Sequence, residues 1–340
     1  MAVTLVTGAS SGIGRSLARR IAAHGDPVAV LARRRELLDE LVAEIERGGG
    51  RALALACDVT DGAAVAAAVA EAERRLGPVE CLVANAGGGE PTFVDRFRAD
   101  EIEAALRLNV LGVANCIEAV LPGMLARGAG HLVATGSLAG EHGLPTGEAY
   151  GAAKAALRNL MEGLRIDLRG RGIAVTLIAP GPVRLKPKSK KRRLFSVDVE
   201  VATARMHRAI LRRSPHLAFP RVPALGIALV RALPIGIADR LLAGRGRKPP
   251  SESNRREARR SPAQIAREEP PCRRRPCDPG SFSQQPSCAS RPSHPPTRPE
   301  PPIRPTTPAA PPARPTLRLP ARAAFAAIPR AGDSASRCSR

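Results

Sequence analysis

Met1-Ala2-Val3-Thr4-Leu5-Val6-Thr7-Gly8-Ala9-Ser10-Ser11-Gly12-Ile13-Gly14 opens the chain. Residues 2–7 make an apolar run of strand length, and beyond the glycines Leu17, Ala18, Ile21 and Ala22 recur at helical spacing. Strand, glycine turn and helix therefore follow one another directly. Such a turn lets the backbone approach a phosphate closely, and the free amides at the helix N-terminus favour its negative charge. Its place at the end of a first strand points to a dinucleotide site.

The same alternation continues outward from this unit. Apolar strands at 28–32, 52–57, 79–84, 131–135 and 174–179 alternate with helical patterns that end near Ile45, Leu76, Arg127 and Leu168. A further helix over 198–212 and a short strand at 216–219 complete the series. This order demands parallel pairing and right-handed crossovers. The expected fold is α/β: a doubly wound parallel sheet, Rossmann-like, of about seven strands with helices on both faces.

Ligands of such sheets bind beyond the carboxyl ends of the strands, where the chemically suggestive residues fall. The second strand ends in Leu31-Ala32-Arg33-Arg34, with no acid before Glu36. An acidic side chain there would accept from a ribose 2′-hydroxyl, whereas arginine attracts a 2′-phosphate, so Arg33, with Arg34 beside it, favours NADP(H). Asp58, after the third strand, caps the next helix or touches adenine. Asn85-Ala86-Gly87-Gly88-Gly89 follows the fourth strand, Ser137 the fifth, and Pro180-Gly181-Pro182 the sixth. Tyr150, the single tyrosine, and Lys154 lie four apart on one helix and project into one pocket. A cation beside a phenol favours the phenolate and draws its pKa down toward neutral pH. Asn109 sits inside the apolar helical stretch 99–127, where a lone asparagine usually satisfies a neighbouring carbonyl.

Composition divides the chain into a domain at 1–244 and a tail at 245–340. The tail holds 21 of the 33 prolines, with 20 basic and 7 acidic residues, and has almost no aliphatic periodicity. It cannot offset the entropy of ordering its backbone, and reads as a disordered Pro/Arg-rich segment without selected function. Of the net charge of +22, about +13 belongs to this tail. It lacks interleaved aromatics, so no specific nucleic-acid partner is expected. The N-terminus has no leader pattern, and a cytoplasmic protein is expected. Cys57, Cys81 and Cys116 lie in apolar runs and read as buried reduced thiols; no zinc spacing links the tail cysteines, so no metal is expected. Lys186, Lys188, Lys190, Lys191, Arg192 and Arg193 crowd into what reads as a solvated loop.

With these motifs in order, residues 1–244 resemble the short-chain dehydrogenase/reductase family. Thr7-Gly8-x3-Gly12-x-Gly14 is similar to that family's cofactor turn, and Asn85-Ala86-Gly87 to its fourth-strand motif. The resemblance implies an oxidoreductase that transfers a hydride between NADP(H) and a carbonyl or secondary alcohol. Gly8, Ser10, Ser11, Gly12, Ile13, Gly14, Arg33, Asp58, Val59, Asn85, Pro180, Gly181 and Val183 would then bind cofactor, with Tyr150 and Lys154. Tyr150 would be the general acid/base, Ser137 would hydrogen-bond the substrate oxygen, Lys154 would hold the nicotinamide ribose, and Asn109 would hold a water linking that lysine to solvent. The family usually has a threonine after Pro180-Gly181, where this chain reads Pro182-Val183-Arg184-Leu185. A homodimer or homotetramer paired through the helices around Asn109 and Tyr150 is also implied. Residues 219–243 are too interrupted to span a bilayer; they resemble the C-terminal helix of some members, which covers the substrate pocket or touches a membrane surface.

Overall fold

The computed structural model describes residues 2–185 and 195–243. In chain order its elements begin β1 (Val3–Thr7), α1 (Gly12–Ala23), β2 (Val28–Ala32), α2 (Arg35–Arg47), β3 (Ala52–Ala56), α3 (Gly62–Leu76), β4 (Val79–Ala84), α4 (Ala99–Leu106) and α5 (Gly112–Arg127). They continue with β5 (Gly130–Thr135), α6 (Glu148–Asp167), β6 (Ile173–Pro180), β7 (Val183–Arg184), β8 (Val197–Asp198), α7 (Val199–Leu211), β9 (His216–Phe219), α8 (Arg221–Ala232) and α9 (Ile235–Leu242). The tail at 245–340, its cysteines and the basic run 186–193 lie outside the described residues.

Seven strands pair in parallel in the order β3-β2-β1-β4-β5-β6-β9, the doubly wound sheet that the alternation predicts. β7 and β8 form a separate two-residue pair. Because successive side chains of a strand point to opposite faces, each strand feeds two cores. Leu5, Leu31, Leu82, Leu132 and Leu177 pack with α3, α5 and α6 on one face. Val6, Val30, Val83, Val133 and Ile178 pack with α1, α2 and α7 on the other. Burial on both faces is why these strands read as continuous apolar runs rather than alternating ones.

β9 closes the sheet, and its Phe219 is only 2% exposed. Truncation to alanine is expected to destabilise the fold by about 3–5 kcal/mol, because the lost apolar contact leaves a cavity against a rigid sheet. Chemical denaturation measures this; a loss below about 1 kcal/mol would mean that the edge collapses around the gap.

The stretch 99–127, expected as one long or two joined helices, is two: a π turn at Arg107–Leu111 joins α4 to α5 and carries Asn109. One expectation needs correction. Residues 219–243 form two helices rather than one, since Leu233 is extended (ψ 152°) ahead of Pro234, as proline's ring requires of the residue before it. Among the described residues, 99–127 is the run long and apolar enough to cross a membrane. Val113, Cys116, Ile117, Val120 and Met124 of that run are buried in the domain core, which accounts for the composition. Cys57, Cys81 and Cys116 are buried and free, and burial pushes the Cys81 and Cys116 thiols up to about 12.

Candidate active site

The sheet reverses direction between β1 and β4: one half winds outward to β3, the other to β9. Loops leaving these two strands diverge and open a crevice between them. Thr7 seals its floor, its hydroxyl oxygen accepting from the Asn85 N–H (3.0 Å) and the Ala86 N–H (2.9 Å). The Asn85 amide donates to the Thr7 carbonyl (3.1 Å) and accepts from the Thr135 hydroxyl (3.2 Å). Asn85 thus braces the ends of β1, β4 and β5 with its side chain, and shapes the cleft by doing so.

Glycine is obligatory where these loops meet. Gly8 has φ +67°, and a Cβ there would lie 2.8 Å from Ala86 Cα. A Cβ on Gly14 would lie 2.4 Å from the Gly8 carbonyl oxygen, whereas Gly12, at φ +59°, faces Leu185. The turn is therefore a compact cradle at the N-terminus of α1, open to a phosphate. Arg34 reaches over it, donating to the hydroxyls of Ser10 (2.9 Å) and Ser11 (3.1 Å). Arg33 points outward, largely exposed, with Asp58 at 3.9 Å. These residues fit the phosphates of a nicotinamide dinucleotide.

Asp58 does not cap α3. Asp61 does, accepting from the Ala64 N–H at 3.0 Å. Asp58 instead accepts from the backbone and hydroxyl of Thr60, whose hydrogen bonds hold its carboxyl below the usual range. Val59 is buried, and its side chain packs against Gly112 at the start of α5.

A cleft of about 360 Å³ runs from Gly12 and Ile13 past Gly87 to Ser137, Tyr150, Lys154, Gly181 and Val183. It brings Ser137, Tyr150 and Lys154 together, while Asn109 stands behind its lining. Lys154 is 3% exposed, and its ammonium donates to the Thr135 carbonyl at 2.8 Å and stands 5.7 Å from the Tyr150 ring centre. Burial depresses the Lys154 ammonium to about 8. Tyr150 hydrogen-bonds with Ser137, whose Oγ also accepts from the Ala139 N–H at 3.1 Å.

The expectation that the neighbouring cation draws the phenol down is overturned in the free protein. Burial pushes the Tyr150 phenol above its ordinary value, and the Ser137 hydrogen bond only partly opposes it. Desolvation penalises the phenolate more than the Ser137 hydrogen bond rewards it. The phenol therefore stands protonated at neutral pH, ready to donate.

Asn109 is fully buried. Its amide donates to the carbonyls of Ala105 (2.9 Å) and Gly88 (2.8 Å), and its carbonyl accepts from the Gly88 N–H (3.2 Å). Besides satisfying its own helix it pins the glycine loop. A Cβ on Gly87 would lie 2.7 Å from Asn109 Oδ1 and 3.0 Å from Lys154 Nζ, so both groups converge on that glycine. The π turn carries Asn109, and such turns are frequent at functional sites.

Sequence reasoning gave no separate role to two contributors: Thr7 and the Thr135 carbonyl. Thr7 stood in the opening motif, but a backbone carbonyl leaves no mark on residue type. Glu141, four residues beyond Ser137, was also unremarked. It lies near Arg158 Nη1 of α6 (3.0 Å), His216 Nε2 of β9 (3.6 Å) and Arg231 Nη1 of α8 (3.9 Å), tying the serine turn to the C-terminal helices.

Comparison with known proteins agrees with the fold. The family model described as short chain dehydrogenase matches residues 2–194. An uncharacterized oxidoreductase of Myxococcus xanthus is 37% identical over 237 residues, which cover 69% of this chain and 94% of that protein. The crystal structure of a short-chain dehydrogenase from Streptomyces avermitilis superimposes with a TM-score of 0.61 at 31% identity, covering 71% of this chain and 94% of that one. Actinorhodin polyketide ketoreductase, solved with NADPH, gives 0.59 at 28% identity over 64% of this chain and 95% of the other.

Proposed function

Because the chain belongs to the short-chain dehydrogenase family and is an oxidoreductase acting between CH–OH and C=O groups, we propose that it is an NADP(H)-dependent ketoreductase. The observation that carries this reading is the cleft in which Ser137, Tyr150 and Lys154 face the glycine cradle. Bound nicotinamide supplies or takes up the hydride. Hydride addition to a carbonyl leaves an alkoxide, and the residues of the chain serve that charge. The Ser137 hydroxyl orients and stabilises the oxygen, and Tyr150 Oη–H gives it a proton, the phenolate being favoured at that moment by the Lys154 ammonium. Oxidation of an alcohol reverses each transfer. Lys154, fixed by the Thr135 carbonyl, is also placed to hold the nicotinamide ribose, and Asn109 holds the loop and the lysine surroundings in register.

The arginines at the end of β2 support NADP(H) over NAD(H). Arg33→Asp is expected to weaken NADPH at least about tenfold, the worth of one charge-assisted contact, while leaving NADH nearly unchanged. Fluorescence titration measures both, and equal losses would refute the assignment. Leu185 stands near Gly12 where relatives use threonine, so a carboxamide contact there falls to the backbone. The reaction itself is tested by a panel of ketones, aldehydes, 3-oxoacyl thioesters and steroids with NADPH, followed by nicotinamide absorbance; no turnover across the panel would overturn it. Exposed Leu111, Leu125 and Ile166 on α5, α6 and the turn between α4 and α5 support pairing of two or four copies through these helices. Three buried free thiols support a cytoplasmic setting.

A further inference from the structure

α6 carries Tyr150 and Lys154, yet it starts without a cap of its own. The first amides of a helix have no acceptor inside it, and a Ser, Thr, Asp or Asn just before the helix commonly lends them a side-chain oxygen. Here that position is Gly147, which has no side chain to lend. The oxygen comes from another loop. Thr92, beyond the end of β4 and 57 residues away in the chain, accepts from the Ala149 N–H at 3.2 Å through its hydroxyl. Its own N–H donates to the Thr146 carbonyl at 3.3 Å. Thr92 therefore grips the start of α6 on both sides of Gly147.

This grip is well supported. Thr92 is 1% exposed, and its neighbour Phe93 is buried with the Arg96 guanidinium 5.0 Å from its ring centre, so the loop is anchored where it crosses the helix end. Thr146 stands at φ +58°, a left-handed conformation that a β-branched residue adopts only where its surroundings enforce it. Tyr150 follows Ala149 directly, and the same loop lies against the Tyr150 ring at Gly89. One loop thus holds both the ring and the backbone from which it hangs. Without the Thr92 hydroxyl the buried Ala149 N–H loses its acceptor, and the first turn of α6 must shift to find another. A shift of about 1 Å in a reacting group costs about a hundredfold in rate. We propose that Thr92 is a positioning residue for the reaction, its hydroxyl capping α6 from outside the helix and so setting the place of the Tyr150 phenol against Ser137 and the substrate oxygen. The proposal rests on the reading of Tyr150 as the general acid.

Two variants of the full chain test this: Thr92→Val removes the hydroxyl and keeps the shape, whereas Thr92→Ser keeps the hydroxyl. Thr92→Val is expected to lower kcat for carbonyl reduction about tenfold to a hundredfold, with substrate KM and NADPH affinity within about twofold of the parent. Thr92→Ser is expected to recover most of the turnover. Position is read separately from rate. Tyr150 is the single tyrosine of a chain without tryptophan, so ultraviolet absorbance follows its ionisation with no turnover at all. The Ser137 hydrogen bond favours the phenolate, so a phenol moved away from Ser137 in Thr92→Val is expected to ionise at higher pH, and Thr92→Ser to restore the parent midpoint. Parental turnover in Thr92→Val overturns the proposal. Equal loss in both variants overturns it too, since packing and not the hydroxyl would then matter, as does a slow Thr92→Val whose tyrosine titrates like the parent's. If Thr92→Val is too unstable to assay, Thr92→Cys, with its weaker sulfur acceptor, is judged by the same criteria. Should Tyr150 not be the acid, Tyr150→Phe would keep its turnover while the midpoint still moved in Thr92→Val, so the two failures are distinct.

Discussion

Tyr150→Phe is expected to lower kcat for carbonyl reduction about a hundredfold to ten-thousandfold, the usual worth of a positioned general acid, with NADPH affinity almost unchanged. The change removes one oxygen from a ring whose place is already fixed. A Cβ on Gly89 would come within 2.9 Å of Tyr150 Cβ and Cδ2, so loop and ring are in close contact. Phenylalanine keeps that contact and Ser137 keeps its bond to the Ala139 N–H, which confines the loss to the proton. Since the raised phenol is protonated across neutral pH, reduction needs no prior ionisation. It is lost only as pH rises through the phenol's value, whereas oxidation by the free enzyme gains over the same limb. Steady-state kinetics of the two directions measures this, and unchanged turnover in the variant would remove Tyr150 from the chemistry.

Lys154→Met tests the second large effect, which concerns stability as well as rate. The ammonium stands at about 8 in the fold against 10.5 in the unfolded chain. Between those values the unfolded state binds more protons than the native one, so stability rises with pH. Below about 8 both states are protonated and the full desolvation penalty is present; the difference is worth about 3 kcal/mol. Methionine carries no charge and no such dependence. Subtracting the variant's denaturation free energy from the parent's cancels the alkaline titration of Cys81 and Cys116. The difference is expected to climb in the parent's favour by about 3 kcal/mol from pH 8 to pH 10.5. A flat difference would mean that the amine is solvated. Turnover is expected to fall about a hundredfold, for want of the charge that favours the tyrosinate.

The sheet and the cleft were readable in the residues because both depend on local pattern. Apolar runs ending in Gly8, Asn85, Ser137 and Pro180 marked the strand ends, and parallel connectivity then forced them onto one rim. Tertiary context supplied what was unreadable. No spacing rule reveals that burial raises the Tyr150 phenol by more than its Ser137 hydrogen bond lowers it. Nor does residue type show that Asn85 spends its amide on Thr7, or that the Thr135 backbone holds Lys154. The π turn at Asn109 was equally silent, since one extra residue in a turn leaves an apolar helix looking like any other. Pro234 did declare a break, and the split of the last helix follows from it.

The ion pairs at Glu141 also carry a temporal meaning. Its partners at Arg158, His216 and Arg231 arrive successively later in the chain, the last from α8. During synthesis the nucleotide cradle can form as soon as the first strands pair, whereas the serine turn gains its first anchor with α6 and its last only when the final strand and helix have emerged. The fold thus commits to its cofactor half early and assembles its reactive half last, through contacts of long sequence separation that are slow to close.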